Sequence, residues 1–367
     1  MKLGDICKIK YGKDHKKLND GSIPVYGSGG VMRYVDAVLW NKPSVLIPRK
    51  GTLGNLFYVD EPFWTVDTLF WTDIDAAQVV PKYLFYQLKT KDLASLNVGT
   101  AVPSLTTEVL NEVQIDLPSL EKQKQIVEVL GCIDAKIVAN AQLNGYLAEL
   151  VSLEFMSRFS ENVPTVELGQ VLSISTKSLK PQDCFGEVWE HYSIPAYDEK
   201  HWPVFEPADG IKSNKYIVDK DCILISKLNP TTKRIWMPAC SSNRPVCSTE
   251  FIVYKPNEPK HKSFYYAAID APAFTDFLLA HVTGSTGSRQ RTQPKATLVY
   301  PMPAPGAEAI EDFCAFADPI YEQIKANELE SKQLEELRDV LLPRLMSGKI
   351  DVSKVDLTQL NSHLVDC

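Results

Sequence analysis

Apolar residues along this chain follow two rhythms. In segments 1–118 and 163–303 they come in short runs broken by Gly, Pro, Asn and Ser. Val45–Ile47, Leu56–Val59, Ile223–Ile225 and Phe251–Tyr254 are rich in the aliphatic, β-branched and aromatic residues of short buried strands. Pro81–Leu88 and Lys262–Ile269 are predicted as short helices. The mixture predicts compact α+β globules with small twisted sheets. In segments 119–158 and 306–346 the rhythm changes. Pro118 and Pro305 mark the starts, and apolar residues recur at spacings of three and four: Ile126, Leu130, Ile133 and Ile137, then Leu147 and Val151. The later segment gives Phe313, Ala317, Ile320 and Ile324, then Leu334 and Leu341. This is coiled-coil-like patterning. A helix of ~38 residues is ~57 Å long. It can bury its seam only against another long element, so the two segments are expected to pair, antiparallel.

The chain also repeats itself, with a period near 185 residues. Leu3-Gly4-Asp5-Ile6 returns as Leu168-Gly169-Gln170-Val171, and Val45-Leu46-Ile47-Pro48 as Ile223-Leu224-Ile225-Ser226. Asp67–Trp71 aligns with Ser248–Ile252, and Tyr83–Tyr86 with Phe264–Ala267. Gly99-Thr100 and Pro118 correspond to Gly284-Ser285 and Pro303. Each match is weak; their order is not. Asn140 and Asn144 occupy skipped seam positions, and Asn327 and Ser331 occupy the same places in the second copy. Polar residues there either set the register of a helix pair or face solvent where the helices splay.

Composition narrows the class. With 367 residues, 44% hydrophobic, the chain can build two or three cores. It holds no apolar run long enough for a membrane span, and its start lacks a secretory signal. Eight scattered cysteines without a CxxC pair point to reduced thiols in a cytoplasmic protein rather than to a metal site. His191 and His201, each close to a tryptophan, are read as incidental rather than as metal ligands. The six tryptophans are read as core or interface residues.

The net charge of −7 opposes a free-standing, tight, non-specific nucleic-acid binder. The acid is concentrated, however: residues 307–345 alone carry ten Asp/Glu against four Lys/Arg. Basic residues gather at Lys8 to Lys17, Arg49-Lys50, Lys227 to Arg244 and Arg289 to Lys295.

Those stretches hold the residue types that grip phosphates and read base edges. The expected contacts in the first copy are Tyr26 and Ser28 in a glycine-rich segment, Arg49, Lys50 and Thr52 after a strand, and Thr100 and Ser104. In the second copy they are Lys227, Asn229, Thr231, Lys233 and Arg234, then Ser285, Arg289, Gln290, Arg291 and Gln293. Gly27, Gly29 and Gly30 are open to a plainer reading as hairpin-turn residues, and Arg49-Lys50 to one as a solvated loop. The expected helix seam comprises Ile126, Leu130, Ile133, Ile137, Asn140, Ile320, Ile324, Asn327 and Leu334.

Catalytic signatures are missing. Asn229-Pro230-Thr231-Thr232 lacks the second Pro and the aromatic of an amino-methyltransferase loop, and no GxxxxGK[ST] occurs. Asp221 to Lys227 lacks the second acid that metal-assisted hydrolysis needs. A DNA reader and a two-globule protein scaffold both remain open on these residues.

The order of motifs resembles a known family. Lys2-Leu3-Gly4-Asp5-Ile6, Pro24–Gly30, Leu46–Gly54, Gly99–Leu105, Leu117–Gln123 and Leu341–Ile350 together are similar to the specificity subunits of type I restriction-modification systems. The second half departs more: Ser226-Lys227-Leu228-Asn229 stands for Pro48-Arg49-Lys50-Gly51, and Gly287–Gln290 for Val102–Leu105. The resemblance implies target recognition domains at 1–118 and 161–305, spacer helices at 119–160 and 306–350, and a tail at 351–367, in a pseudo-twofold α+β repeat. It implies a non-catalytic chain that reads a bipartite, asymmetric double-stranded DNA site. Its partners would be two methyltransferase subunits and restriction subunits. S-adenosylmethionine, ATP, Mg, adenine-N6 methylation and cleavage would belong to those partners.

Overall fold

A computed structural model describes residues 1–99, 102–283 and 290–354. The contacts expected at Thr100, Ser285 and Arg289 lie outside the described residues, as does most of the tail. The chain divides into two compact units, Met1–Val138 with Lys332–Cys367, and Ala139–Ser331.

The first unit opens with a single helical turn, α1 (Leu3–Ile6), and strand β1 (Cys7–Tyr11). The hairpin β2 (Asp20–Gly27) and β3 (Gly30–Val35) follows, then β4 (Ser44–Pro48), β5 (Phe57–Val59), β6 (Trp64–Thr65) and β7 (Leu69–Ile74). An antiparallel sheet forms in the order β1-β7-β4-β5, beside a smaller sheet β3-β2-β6 in which β2 and β6 run parallel. All five residues of β4 are buried, as a strand covered on both faces requires. Helix α2 (Pro81–Lys89), with Pro81 at its first turn, covers one face. The short α3 (Thr107–Asn111) is capped by the Thr106 hydroxyl on the Val109 N–H.

Helix α4 (Leu120–Phe159) spans the division between the two units. Gln123, almost wholly buried, ties its first turn down. The side-chain carbonyl accepts from the Val80 N–H at 2.9 Å, and the amide donates to the Pro118 carbonyl at 2.9 Å. Ile126, Val129, Leu130 and Ile133 then pack with Tyr83, Leu84, Leu342 and Leu345 in one core. Each such buried side chain contributes about 1.5–3 kcal/mol.

The second unit repeats the plan. It contains β8 (Thr165–Glu167), α5 (Leu168–Val171), β9 (Leu172–Ser175) and β10 (Ser178–Leu179). After these come β11 (Val188–Tyr192), α6 (Ile194–Lys200), β12 (Val204–Pro207), β13 (Lys215–Ile217), β14 (Ile223–Ser226) and β15 (Ile235–Trp236). Strands β16 (Pro245–Ser248) and β17 (Phe251–Pro256) precede α7 (Lys262–Asp270) and α8 (Pro272–Ala280). A short pair, β18 (Val282–Thr283) with β19 (Arg291–Thr292), and β20 (Pro301–Pro303), paired with β8, complete it before α9 (Ala307–Met346).

The order β9-β17-β14-β15 reproduces β1-β7-β4-β5. The parallel pair β11 and β16, with β12 alongside, reproduces β2, β6 and β3. Strands β10 and β13 are additions of the second unit. The repeat is therefore one of topology as well as motif. Its alignment needs one correction: Ser226 faces Phe251 as Pro48 faces Leu69. Thr68 thus matches Glu250, one residue away from the alignment that the sequence suggests.

In each unit a half of α4 runs antiparallel to a half of α9. In the second, Val151, Phe155 and Phe159 pack with Phe313, Ala317 and Tyr321. The α+β plan of small sheets with two long antiparallel helices is the one the apolar pattern predicts.

Candidate nucleic-acid interface

Three loops of the first unit meet where β4 ends. The Arg49 N–H donates to the Thr68 carbonyl at 2.8 Å, and the Arg49 carbonyl accepts from Leu105 at 2.9 Å. Gly51, at φ +94°, donates to the Pro103 carbonyl at 3.1 Å. Lys50 and Ser104 form a bridge between the two segments. The β2–β3 hairpin joins them through Asn55, whose amide donates to the Ser28 carbonyl at 2.8 Å. Asn97 closes the far side, accepting from the Gly99 and Ser104 N–H groups at 2.8 Å each. Asn55 and Asn97 were not among the residues expected from sequence. An Asn in a loop carries no signal until its backbone partners are known.

The second unit builds the same clamp. Lys227 donates its N–H to Glu250 at 3.0 Å and accepts from Thr292 at 2.9 Å. Asn229 donates to the Gln290 carbonyl at 2.9 Å, and Leu228 bridges to Arg291. Asn229 stands where the first unit has Gly51, and it too adopts a left-handed conformation, φ +49°. Asn tolerates that region better than other side chains. This explains how the second motif departs from the first without losing the turn.

The expected contact residues divide into two groups. Ser28, Arg49, Lys50, Thr52 and Ser104 gather at the first clamp; Lys227, Asn229, Thr231, Gln290, Arg291 and Gln293 lie at or beside the second. Gly27 and Gly30 pair across the end of the hairpin, with Ser28 and Gly29 forming its turn. Tyr26 turns its ring to Phe57 and Phe63, at 5.9 and 6.3 Å between centroids, and burial pushes its phenol pKa up. Lys233 is held by Asp270 at 2.5 Å. Arg234 pairs with both carboxylate oxygens of Asp198, at 2.6 and 2.8 Å, with little of its side chain exposed. These two cations are engaged in structural ion pairs, although the clustering in sequence grouped them with Lys227. Arg291 keeps an exposed position, with its Nε 3.0 Å from the Glu250 carboxylate.

Basic side chains flank the first clamp. Lys8 and Lys10 lie on the edge strand β1, and Lys10 sits 4.9 Å from the Trp71 ring centroid and 3.4 Å from Asp73. The Arg49 guanidinium carbon lies 5.6 Å from the ring centroid of Tyr11, which ends β1.

On the helices, Ile126, Leu130 and Ile133 are buried, whereas Ile137, Ile320, Ile324 and Leu334 are half-buried. Asn140 and Asn327 are buried at 3% and 5% exposure, deeper than those apolar neighbours. The Asn140 amide donates to Glu330 at 2.8 Å and to Ser331 at 3.2 Å; that of Asn327 donates to the Asn144 carbonyl at 2.7 Å. Buried, cross-linked amides of this kind set register.

Among the described residues no group of three or more His, Cys, Asp or Glu side chains is placed to hold a metal ion. Burial pushes the Cys7, Cys222 and Cys240 thiols up to about 12 and that of Cys314 to about 11, so they are packing residues rather than nucleophiles. No described helix is long and apolar enough to cross a membrane. His201 stacks on Trp236 at 5.4 Å and lines a cavity of about 260 Å³ with Tyr266, Tyr321 and Glu328.

Comparison with known proteins adds a likeness in sequence and fold. The model of the type I restriction modification DNA specificity domain matches residues 1–147. The HindI specificity subunit of Haemophilus influenzae is 22% identical, over 81% of this chain and 84% of that protein. The MjaIX specificity subunit of Methanocaldococcus jannaschii is also 22% identical, over 86% of this chain and 80% of that one. Over most of its length the chain is similar to the type I restriction-modification specificity subunits. Its fold agrees with a crystal structure of such an S subunit from M. genitalium, at a TM-score of 0.58 and 16% identity over 94% of this chain and 95% of that one. Those two relatives are specificity subunits of type I restriction enzymes.

Proposed function

We propose that each unit of this specificity subunit reads one half of a bipartite, asymmetric double-stranded DNA site through its clamp. The observation that carries the reading is a conserved frame with changed side chains. The same three backbone hydrogen bonds recur in both units, while Arg49, Lys50 and Ser104 give way to Lys227, Leu228 and Arg291. A fixed frame with different donors reads different base edges. Helices α4 and α9 set the gap between half-sites and dock two methyltransferase subunits, with restriction subunits joining for cleavage. S-adenosylmethionine, ATP and Mg enter through those partners. The net charge of −7 makes tight binding depend on positive surface that the partners add.

Electrophoretic mobility of the chain, with its methyltransferase partner, on random-sequence DNA tests the reading. Selection of a two-part sequence is the expected outcome. An assembled complex that retains DNA without preference contradicts it. An assembled complex that ignores DNA altogether supports a protein scaffold instead.

A further inference from the structure

We propose that Arg49 is the base-reading cation of the first unit, that it recognises a guanine in the major groove, and that Tyr11 is the positioning residue that aims it. The inference rests on the half-site reading above and deepens it.

Arg49 is held from three sides. Its N–H and carbonyl are both bonded, to Thr68 and Leu105, so its backbone cannot swing. Its guanidinium rests on the Tyr11 ring, 5.6 Å from the centroid. That ring is half exposed on one side and backed edge-on by buried Phe70 at 5.0 Å on the other. Tyr11 is itself fixed, its carbonyl accepting from the Trp71 indole at 3.1 Å.

The contrast with other arginines of the unit is informative. Arg33 pairs with Asp20 at 2.7 Å, and Arg338 with Asp134 at 3.0 Å. Among the described residues no carboxylate pairs with Arg49. An aromatic face restrains a guanidinium while leaving its in-plane donors uncommitted, which a carboxylate would not do. A planar, pre-aimed fork of donors matches the N7 and O6 acceptors of guanine, the commonest base-specific contact of arginine.

Among the described residues, the clamp of the second unit does not repeat this device. Strand register puts Thr176 where Tyr11 stands, and Lys227 replaces Arg49. Arg291, which is exposed, enters from the other arm of the clamp, at the place of Ser104. Arg244 of the second unit also lies 5.6 Å from a ring centroid, that of Trp189, but it pairs with Glu187 at 2.6 Å. Among the described residues, an arginine stacked at the clamp without a carboxylate partner thus belongs to the first unit.

The test uses the full chain assembled with its methyltransferase partner. Competition binding is measured on duplexes carrying the wild-type site with each base pair replaced in turn. Wild type is expected to discriminate at a G·C pair in one half-site by roughly 10- to 100-fold. Arg49→Lys keeps the charge and should lose most of that discrimination at that pair alone. Arg49→Ala should lose it further, with the other half-site unaffected. Tyr11→Ala should relax the same position, and Tyr11→Phe should restore it, which a purely structural role would not reproduce position by position. An unchanged profile for Arg49→Lys, or equal loss across both half-sites, overturns the proposal. If wild type itself shows no preference at any position, the half-site reading fails; if wild type is selective and Arg49→Lys matches it, only the role of Arg49 fails.

Discussion

His191 shows how a single side chain makes the second unit sensitive to acid. Its Nδ1 contacts Glu206, while its Nε2 is buried and has no protein partner. Burial lowers the imidazole pKa below its ordinary value of 6.5, and this outweighs the opposing pull of Glu206. The folded state therefore binds the proton less readily than the unfolded chain. Stability rises with pH wherever the unfolded state holds more protons, so this contribution is full above 6.5 and is lost as pH falls below it. Thermal unfolding of the full chain from pH 7.5 down to 5.5 should fall more steeply for wild type than for His191→Gln. Parallel curves would show that folding leaves the imidazole's affinity for the proton unchanged. Elsewhere at this scale the outcome depends on partners that sequence does not display. Arg234 and Lys227 sit in one basic run, yet Asp198, thirty-six positions from Arg234, takes the first and leaves the second at the clamp. Gly51 and Asn229 differ in side chain and share a role, because both tolerate a positive φ.

At the scale of elements, the long helices were the most legible part of the chain. Their period of three and four persists for many turns, and no other element type accommodates it. The strands were legible where both faces are buried, as in β4 and β14, whose runs are continuously apolar. Two-residue strands such as β6, and the added β10, exist through pairing and carry no signal of their own. The one-residue slip at Glu250 has the same cause: register is set by the neighbouring strand. Both units contain part of each helix, with the divisions at Val138/Ala139 and Ser331/Lys332. Seven residues inserted at both places keep the apolar phase and leave the Asn140, Asn144 and Asn327 network untouched. If the helices set the gap, the double insertion should shift the preferred DNA spacer to a longer one, measured by binding to duplexes of graded spacer length. Insertion into α4 alone should abolish selection of any two-part site. An unchanged spacer with binding retained would remove the helices from that role.

For the whole molecule, duplication followed by divergence explains why the chain looks both repetitive and irregular. The frame is kept: one sheet order, one clamp, one pair of helix halves in each unit. The side chains on the frame are not kept, and the second unit adds β10 and β13 to its sheet. Two frames with different side chains suit an asymmetric site better than a palindrome, which two identical readers would prefer. The acidic total fits a chain that acts inside a complex, with basic side chains present at the clamps and on β1. The division of labour between units is the central claim, and modified-base mapping tests it most directly. DNA from cells carrying this chain with its methyltransferase partner should show one two-part motif with a fixed gap. The double variant Gln290→Ala/Arg291→Ala should degrade one half of that motif and leave the other half and the gap intact. A single uninterrupted motif, or equal decay of both halves in the variant, would contradict it.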